Sequence, residues 1–228
     1  NSRHLGWSFV ATWSRSMRLP TLNDLWYTDP VHKHGDNLQP EYAHSFEAIA
    51  KYQTSHVEAH LSYFLMKGSN LIDWVKFDPT ETAFTSHNIA ELTNQGLEAG
   101  LALRLGEYLP FLGDAGRLSL DYLYMTQQHR APGVAMSKYA LNYLRHKFTA
   151  QLAHNVGSRI EALWALRYQD RVNQASPFAT LDLKLDYRLT NHLRAGLELN
   201  NITDTQYADI AGVPQPGFWL SGSISYSL

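Results

Sequence analysis

Phe218-Trp-Leu-Ser-Gly-Ser-Ile-Ser-Tyr-Ser-Leu228 is the stretch that decides how the rest of the chain is interpreted. One set of alternate positions is apolar, aromatic or glycine, and the other consists of Trp219 and four serines. Because side chains alternate across a pleated strand, this pattern predicts a β-strand with one apolar face and one hydroxyl-rich face. A half-buried soluble strand and a membrane-spanning strand both fit, so the remaining segments have to distinguish them.

The same alternation recurs along the chain and predicts about ten strands. In the clearest of them, Leu181, Leu183 and Leu185 alternate with Asp182 and Lys184. The predicted strands are residues 5–16, 45–53, 59–67, 97–104, 118–124, 138–154, 159–169, 180–188, 193–200 and 218–228.

The connections between these strands are alternately short and long. The short ones are residues 54–56, 155–157 and 190–191, with 106–115 somewhat longer. The long or irregular ones are residues 17–40, 68–90, 127–137, 170–177 and 201–217. Outer-membrane barrels have short periplasmic turns and long extracellular loops, so this alternation favours an all-β, antiparallel, up-and-down transmembrane barrel.

Composition narrows the classes of function. The formal net charge is -2 and 18% of residues are charged, so no basic surface for nucleic acid is expected. The absence of cysteine excludes thiol catalysis, thiolate metal sites and disulfides. No apolar run has the roughly 18 residues of a transmembrane helix. Residues 1–6 lack the features of a signal peptide, so we expect an exported protein to begin upstream.

Charged and aromatic residues favour the membrane barrel over a soluble all-β sheet. Alternating acidic and basic residues, such as Asp182 and Lys184, would line a wet lumen and offset one another. Tyr and Trp near the strand ends, such as Trp7, Tyr52 and Tyr187, would form interfacial girdles.

Several short motifs resemble the C-terminal part of the barrel of TonB-dependent outer-membrane receptors. Arg18-Leu-Pro-Thr-Leu-Asn-Asp-Leu-Trp-Tyr27 is similar to the family pattern R-x-P-T-x-x-[DE]-L-[YF]. Further matches follow in family order: Gly35-Asp-Asn-Leu-Gln-Pro-Glu41, Asn94-Gln-Gly-Leu-Glu98, Asn200-Asn-Ile-Thr-Asp204 with Tyr207, and Pro216-Gly217. The motif residues singled out are Arg18, Pro20, Glu41, Gly96, Glu98, Asn200, Asp204 and Gly217.

The resemblance implies a barrel of 22 strands with an N-terminal plug that contacts TonB, in the outer membrane of a Gram-negative bacterium. Residues 1–228 would then be one partial domain with slightly under half of the strands, and the plug would lie outside it. An open sheet leaves two unpaired edges that hydrocarbon cannot satisfy, so either the missing strands are present elsewhere or the fragment closes on itself.

The motif residues also have structural interpretations. Pro20, Gly96 and Gly217 fit loop and strand ends. Glu41 and Glu98 fit a lumen-facing network with nearby Arg or Lys. Asn200 and Asp204 are expected to cap a turn.

Ligand contacts are expected in the long loops. His32 and His34 lie between two motifs, as a loop His does in the haem receptors that this layout resembles. Two His at this spacing could also bind a divalent metal ion, and incidental histidines in a solvated loop are the alternative.

The first motif and Asn70-Leu-Ile-Asp-Trp-Val75 resemble the cobalamin-type receptors of Bacteroidetes-like bacteria more than they resemble haem receptors. The aromatic and His residues available to a large planar chelate are Trp26, Tyr27, Trp74, Phe77, His129 and Tyr207.

The resemblance implies active uptake of a corrinoid, haem or ferric siderophore, driven through TonB and the plug. No bond is made or broken, so the protein would not be an enzyme and would need no cofactor beyond iron or cobalt in the ligand. The alternative is a self-contained ten-stranded barrel protease that resembles the omptins. Its candidate rim residues are Asp29, Asp36, Asp78, Asp170, His87 and His129.

Overall fold

The computed structural model describes residues 5–138, 143–172, 176–210 and 213–227. Its fifteen helices and strands form one large sheet, a separate two-stranded sheet and a short helix. They are β1 Gly6–Arg18, α1 Leu22–Trp26, β2 His32–Lys33, β3 Glu41–Gln53, β4 Val57–Lys76, β5 Phe84–Arg104, β6 Arg117–Arg130, β7 Met136–Ser137, β8 Leu144–Val156, β9 Ile160–Arg171, β10 Phe178–Arg188, β11 Leu193–Asn200, β12 Ala208–Ile210, β13 Val213–Pro214 and β14 Trp219–Tyr226. A short 3₁₀ helix covers Pro110–Leu112.

Ten strands follow one another in the sheet in the order β1-β3-β4-β5-β6-β8-β9-β10-β11-β14. Each neighbouring pair is antiparallel. The predicted ten strands and their up-and-down order are therefore confirmed. Residues 139–142 of the predicted strand 138–154, and Leu228 of the last one, lie outside the described residues.

The prediction of an irregular segment over residues 68–90 is wrong. β4 and β5 continue through most of it, and residues 71–75 pair with residues 85–89. Asn70 has a positive φ of 56° and interrupts the pairing of β4 with β5 between Ser69 and Leu71. Beyond this point Val75 and Asp73 are both buried, so the apolar and polar alternation that marks a half-exposed strand is lost.

The apolar face of the sheet is uncovered. Trp7, Phe9 and Trp13 of β1 are each at least 67% exposed, and Leu97 and Ile224 are exposed on other strands. In a soluble sheet these residues would pack against a second layer, and the described residues supply none. This arrangement does not favour the soluble all-β alternative, whereas an outward face that meets lipid fits it.

The sheet is open. Within the described residues β1 and β14 are its two ends and do not pair with each other, so the fragment does not close on itself. None of these residues forms a helix that is long and apolar enough to cross a membrane.

Candidate functional site

The first two motifs fold together at one end of β1. Thr21 caps α1, accepting a hydrogen bond from the Asp24 backbone N–H, while the Asp24 carboxylate accepts one from the Thr21 N–H. The Arg18 guanidinium donates two hydrogen bonds of 2.6 Å to Glu41 and contacts Asp24 at 3.1 Å. Glu41 also accepts a hydrogen bond from the Ile72 backbone, which ties this loop to β4.

Ser86 attaches the same loop to β5. Its hydroxyl is fully buried, donates to the Asp24 carbonyl at 2.6 Å and accepts from the Gly35 N–H at 2.7 Å. A Cβ at Gly35 would overlap the Ser86 carbonyl oxygen, so only glycine permits this approach. The motif spacing therefore serves to fix the loop on the β4–β5 hairpin.

Two short strands bring further loop residues to this hairpin. β2 pairs in parallel with the start of β5, which places His32 beside Phe84. β7 pairs with the end of β4, and Ser137 donates a hydrogen bond to the Asp73 carboxylate. Loops from three parts of the chain thus meet here in what we call the outer-loop cluster: Tyr27, Asp29, His32, Trp74, Phe84 and Lys138.

His32 connects two charged residues of the outer-loop cluster. Its Nδ1 donates to the Asp29 carboxylate at 3.0 Å, and its Nε2 accepts from Lys138 Nζ at 2.6 Å. The Tyr27 hydroxyl donates to Asp29 at 2.8 Å. The hydrogen bond from His32 is the main reason that the pKa of Asp29 lies far below its usual range, and the bond to Asp29 raises the pKa of Tyr27.

Aromatic rings surround His32. Trp74 meets it edge to face with the ring centroids 5.0 Å apart, and Tyr27 meets Trp74 in the same way at 6.2 Å. Phe84 lies 6.4 Å from His32 and carries Lys76 Nζ over its own ring at 4.7 Å. Such rings offer apolar faces with charged groups at the edge, which suits a large planar ligand.

Three of the predicted ligand-binding residues are therefore brought together: Tyr27, His32 and Trp74. Trp26 and His34 lie beside each other on the same loop with ring centroids 6.4 Å apart, and both are exposed. His129 is exposed on β6 opposite Leu92, outside the outer-loop cluster.

Tyr207 belongs to a second cluster, at the outer ends of β9 and β10. Its ring stacks on Phe178 at 4.5 Å, and its hydroxyl accepts a hydrogen bond from Arg167 at 3.0 Å. Arg167 lies over both rings and pairs with Asp209 at 3.7 Å. Arg167 was not among the predicted residues, although its position on the polar side of a clear strand is the signal that could have found it.

The geometry does not favour a metal ion at His32 and His34. Both ring nitrogens of His32 have partners, and His34 Nδ1 lies 3.0 Å from the Thr28 hydroxyl. In the part of the chain that the structure describes, no three His, Cys, Asp or Glu side chains come close enough together to hold a metal ion.

Gly96 and Glu98 lie on the polar face of β5. A Cβ at Gly96 would overlap the Tyr124 carbonyl oxygen and crowd the Phe64 ring, so the glycine makes room for a neighbouring side chain. Glu98 lines a recess of about 350 Å³ with His60, Asp121 and Lys147. This face is therefore polar and mixed in charge, as expected of a lumen.

The last motif depends on Asn201, not on Asn200 as predicted. Asn201 is buried, has a φ of 49°, and its side chain bonds the backbone of Thr205 as acceptor and as donor, at 3.0 and 2.9 Å. Its own N–H donates to Asp182 at 2.7 Å. Asn200 is the last residue of β11, so the turn begins one residue later than its pattern indicated.

Asp204 and Gly217 complete this turn. Asp204 has a φ of 50° and accepts a hydrogen bond from the Phe218 N–H at 2.8 Å. A Cβ at Gly217 would overlap the same carboxylate. The turn therefore fixes where β14 begins.

Comparison with known proteins identifies the same family as the sequence motifs. The family model described as TonB dependent receptor-like, beta-barrel matches residues 6–202. The chain belongs to this family. It is part of a TonB-dependent receptor barrel, and the described residues contain no plug domain.

Relatives of this TonB-dependent receptor chain include the vitamin B12 transporter BtuB of Vibrio vulnificus (strain YJ016). The two are 23% identical over 202 residues, which is 87% of this chain and 30% of BtuB. The chain thus spans less than a third of the length of this relative.

Solved structures share the fold. The copper transporter OprC superposes with a TM-score of 0.73 at 15% sequence identity, and the match covers 96% of this chain and 37% of OprC. The iron transporter FrpB of Neisseria meningitidis superposes with a TM-score of 0.71 at 17% sequence identity, and the match covers 99% of this chain and 37% of FrpB. A mutant of the ferric enterobactin receptor PfeA of Pseudomonas aeruginosa superposes with a TM-score of 0.70 at 19% sequence identity, and the match covers 100% of this chain and 39% of PfeA.

These relatives are transporters and receptors, not enzymes, and they give no support to the omptin-like alternative. Among its candidate residues, Asp78 accepts hydrogen bonds from Thr80, and His87 packs against Phe77. Asp29 does meet a histidine, but the other nitrogen of that ring is occupied by Lys138.

Proposed function

We propose that this chain supplies part of the barrel wall and the extracellular loops of a receptor in the outer membrane of a Gram-negative bacterium. The receptor takes up a scarce chelate, and TonB drives the uptake through a plug. The family match over residues 6–202 carries this proposal. The uncovered apolar face, which suits outer-membrane lipid, and the polar opposite face support it.

The remaining barrel strands would pair with the free edges of β1 and β14. Each edge presents backbone N–H and C=O groups that hydrocarbon cannot satisfy, so both need partner strands in the membrane. A total of 22 strands and a plug in the lumen would complete the receptor.

A corrinoid is the first ligand to test, followed by haem and ferric siderophores. The sequence relative is named as a vitamin B12 transporter, and structural neighbours are named for copper, iron and ferric enterobactin. The metal belongs to the ligand, and no resident cofactor is proposed.

The outer-loop cluster is the proposed contact surface. Tyr27 and Trp74 would stack against the ligand, and His32 would orient them through its contacts with both rings. The other residues that we propose near the ligand are Trp26, His34, His129 and Tyr207.

The test is ligand binding by the whole receptor, purified in detergent from its native membrane. Cyanocobalamin, haemin and a ferric siderophore are titrated against wild type, Trp74→Ala and the matched control Trp13→Ala, which lies on the outward face of β1. We expect one ligand to bind, and Trp74→Ala to weaken it by about tenfold while Trp13→Ala does not.

Binding of none of the three ligands would contradict the proposed ligand class. Equal affinities of the two tryptophan variants would remove Trp74 from the contact surface. Thermal unfolding of both variants controls for loss of the fold.

A further inference from the structure

Three basic residues lie on the apolar face of the sheet, in one row across three strands. Arg15 of β1 is directly opposite His44 of β3, and His44 is directly opposite Lys67 of β4. Residues that are directly opposite each other in an antiparallel pair lie on the same side of the sheet. Arg15 follows Trp13 by two positions, so the row shares the side of the exposed β1 tryptophans. We call Arg15, His44 and Lys67 the basic row.

The basic row is exposed and has no acidic partner. All three side chains are exposed, and among the described residues none of them forms an ion pair with a carboxylate. Their ring contacts are uncharged: Arg15 lies over the Tyr42 ring at 5.5 Å, and the His44 and Trp13 ring centroids are 5.9 Å apart. Cations gathered on one side of a sheet repel one another, so an anion from outside the chain would stabilise the row.

The neighbouring rows on this face carry no charge. Toward the short turns the next row is Trp13, Phe46 and Leu65, and toward the long loops it is Met17, Tyr42 and Ser69. Trp13 and Phe46 are 67% and 40% exposed. Basic residues beside an exposed apolar row match a lipid with an anionic headgroup, because its acyl chains lie next to its charge.

The basic row lies far from the short turns. Residues 7–15 of β1 span about 26 Å at roughly 3.3 Å per residue. This corresponds to about 20 Å along the membrane normal when a strand is tilted by about 40°, and the apolar band of an outer-membrane barrel is about 25 Å tall. Because Trp7 is next to the first residue of β1, the row lies close to the boundary between hydrocarbon and the headgroups on the long-loop side.

We propose that the basic row binds the phosphate groups of a lipid headgroup in the outer leaflet of the outer membrane. Guanidinium and ammonium groups make charge-assisted hydrogen bonds to phosphate, and the His44 ring has an N–H donor in either protonation state. Neighbouring strands are about 4.8 Å apart, so the backbones of Arg15 and Lys67 are about 10 Å apart and one headgroup can reach both. The acyl chains of the same lipid then contact Trp13, Phe46 and Leu65.

The inference rests on the proposed function, which puts this face of the sheet against lipid and the long loops outside the cell. It adds a lipid to the molecules that the receptor binds, at a surface separate from the outer-loop cluster.

The test is lipid binding by the whole receptor, purified in detergent and freed of bound lipid. Diphosphorylated lipid A is titrated, and the bound lipid is measured by native mass spectrometry. Arg15→Gln and Lys67→Gln each remove one charge from the basic row. Lys51→Gln is the matched control, because Lys51 is an exposed residue of β3 opposite Ser8 and lies on the other face of the sheet.

We expect Arg15→Gln and Lys67→Gln each to weaken lipid binding by about fivefold, and Lys51→Gln to leave it unchanged. Unchanged binding by both variants of the basic row would overturn the proposal. Equal weakening by all three variants would also overturn it, because the net charge of the receptor would then attract the lipid without a specific site.

Two further arms identify the ligand. Lipid A that has been dephosphorylated should bind more weakly, and equal binding would overturn the proposal because the acyl chains alone would then hold the lipid. Excess inorganic phosphate should not displace diphosphorylated lipid A, and displacement would overturn the proposal in favour of a site for free phosphate.

Thermal unfolding of the three variants controls for loss of the fold. Chelate binding is measured on the same preparations. A receptor that binds its chelate but fails the lipid tests refutes the lipid site alone, whereas a receptor that binds lipid at the basic row but none of the chelates refutes the proposed ligand class alone.

Discussion

Arg18 connects three segments through one planar side chain. Its guanidinium pairs with Glu41 at the start of β3 and with Asp24 in α1, whose carboxylates are 13% and 10% exposed. A lysine in its place could not hold both carboxylates with the same geometry. The motif therefore supplies a loop anchor and does not itself point to the ligand.

We expect Arg18→Ala to lower the free energy of unfolding by about 1–3 kcal/mol, because two largely shielded carboxylates lose their partner. Arg15→Ala on the same strand removes the same charge from an exposed site over the Tyr42 ring, and should cost about 0.5 kcal/mol or less. Denaturant unfolding of the refolded receptor measures both. Equal effects of the two variants would show that Arg18 contributes only its charge.

Asn201 carries the last turn through its side chain and its positive φ. Asn201→Gly keeps the backbone conformation accessible and removes the side-chain hydrogen bonds, so we expect a loss of about 2–3 kcal/mol. Asn200→Gly, one residue earlier at the end of β11, should cost about 1 kcal/mol. Thermal unfolding of the two variants compares them, and a larger effect at Asn200 would contradict the assignment.

At the scale of elements, the long β4–β5 hairpin is the platform for the outer loops. β2 and β7 pair with its two strands, and the outer-loop cluster forms between them. The pKa of Asp29 in this cluster is lowered, because the His32 ring and the backbone N–H groups of Val31 and His32 donate hydrogen bonds to its carboxylate.

The lowered pKa of Asp29 sets the direction of a pH effect. The stabilisation is complete above the unfolded value of about 3.9 and is lost as the pH falls toward the lower folded value. We expect amide hydrogen exchange of residues 27–34, corrected for intrinsic rates, to lose protection in wild type only below about pH 4. Asp29→Asn should be poorly protected at pH 7 and show no such further loss.

Asp78→Asn is the matched control for this prediction. The pKa of Asp78 is also lowered, chiefly by the hydrogen bond from the Thr80 hydroxyl, but it lies in the loop between β4 and β5. Its substitution should leave residues 27–34 unchanged. Equal loss of protection in both variants would mean that the outer loops respond to charge in general.

At the scale of the whole molecule, the open sheet makes the chain dependent on other strands. Expressed alone and refolded into detergent, residues 1–228 should aggregate and not yield a folded monomer of 25.9 kDa, because the edges of β1 and β14 are unpaired. Size-exclusion chromatography with circular dichroism measures this. A stable folded monomer at that mass would contradict the need for further barrel strands.

The sequence by itself determined the ten strands, their order and the outward apolar face. Each of these depends on alternation within a segment such as Leu181–Tyr187, and alternation is a local property of a strand that is covered on only one side. The motifs around Arg18 and Gly217 likewise indicated the family, because a short sequence pattern can be identified before the contacts of its residues are known.

Only the tertiary structure decided which residues meet in the outer loops. His32 and Lys138 are 106 residues apart and come together because β2 and β7 add to the same hairpin. The full length of that hairpin could not be predicted from the sequence either. Loops cover its outer part, Val75 and Ser86 are both buried there, and a strand covered on every side loses the period that predicts it.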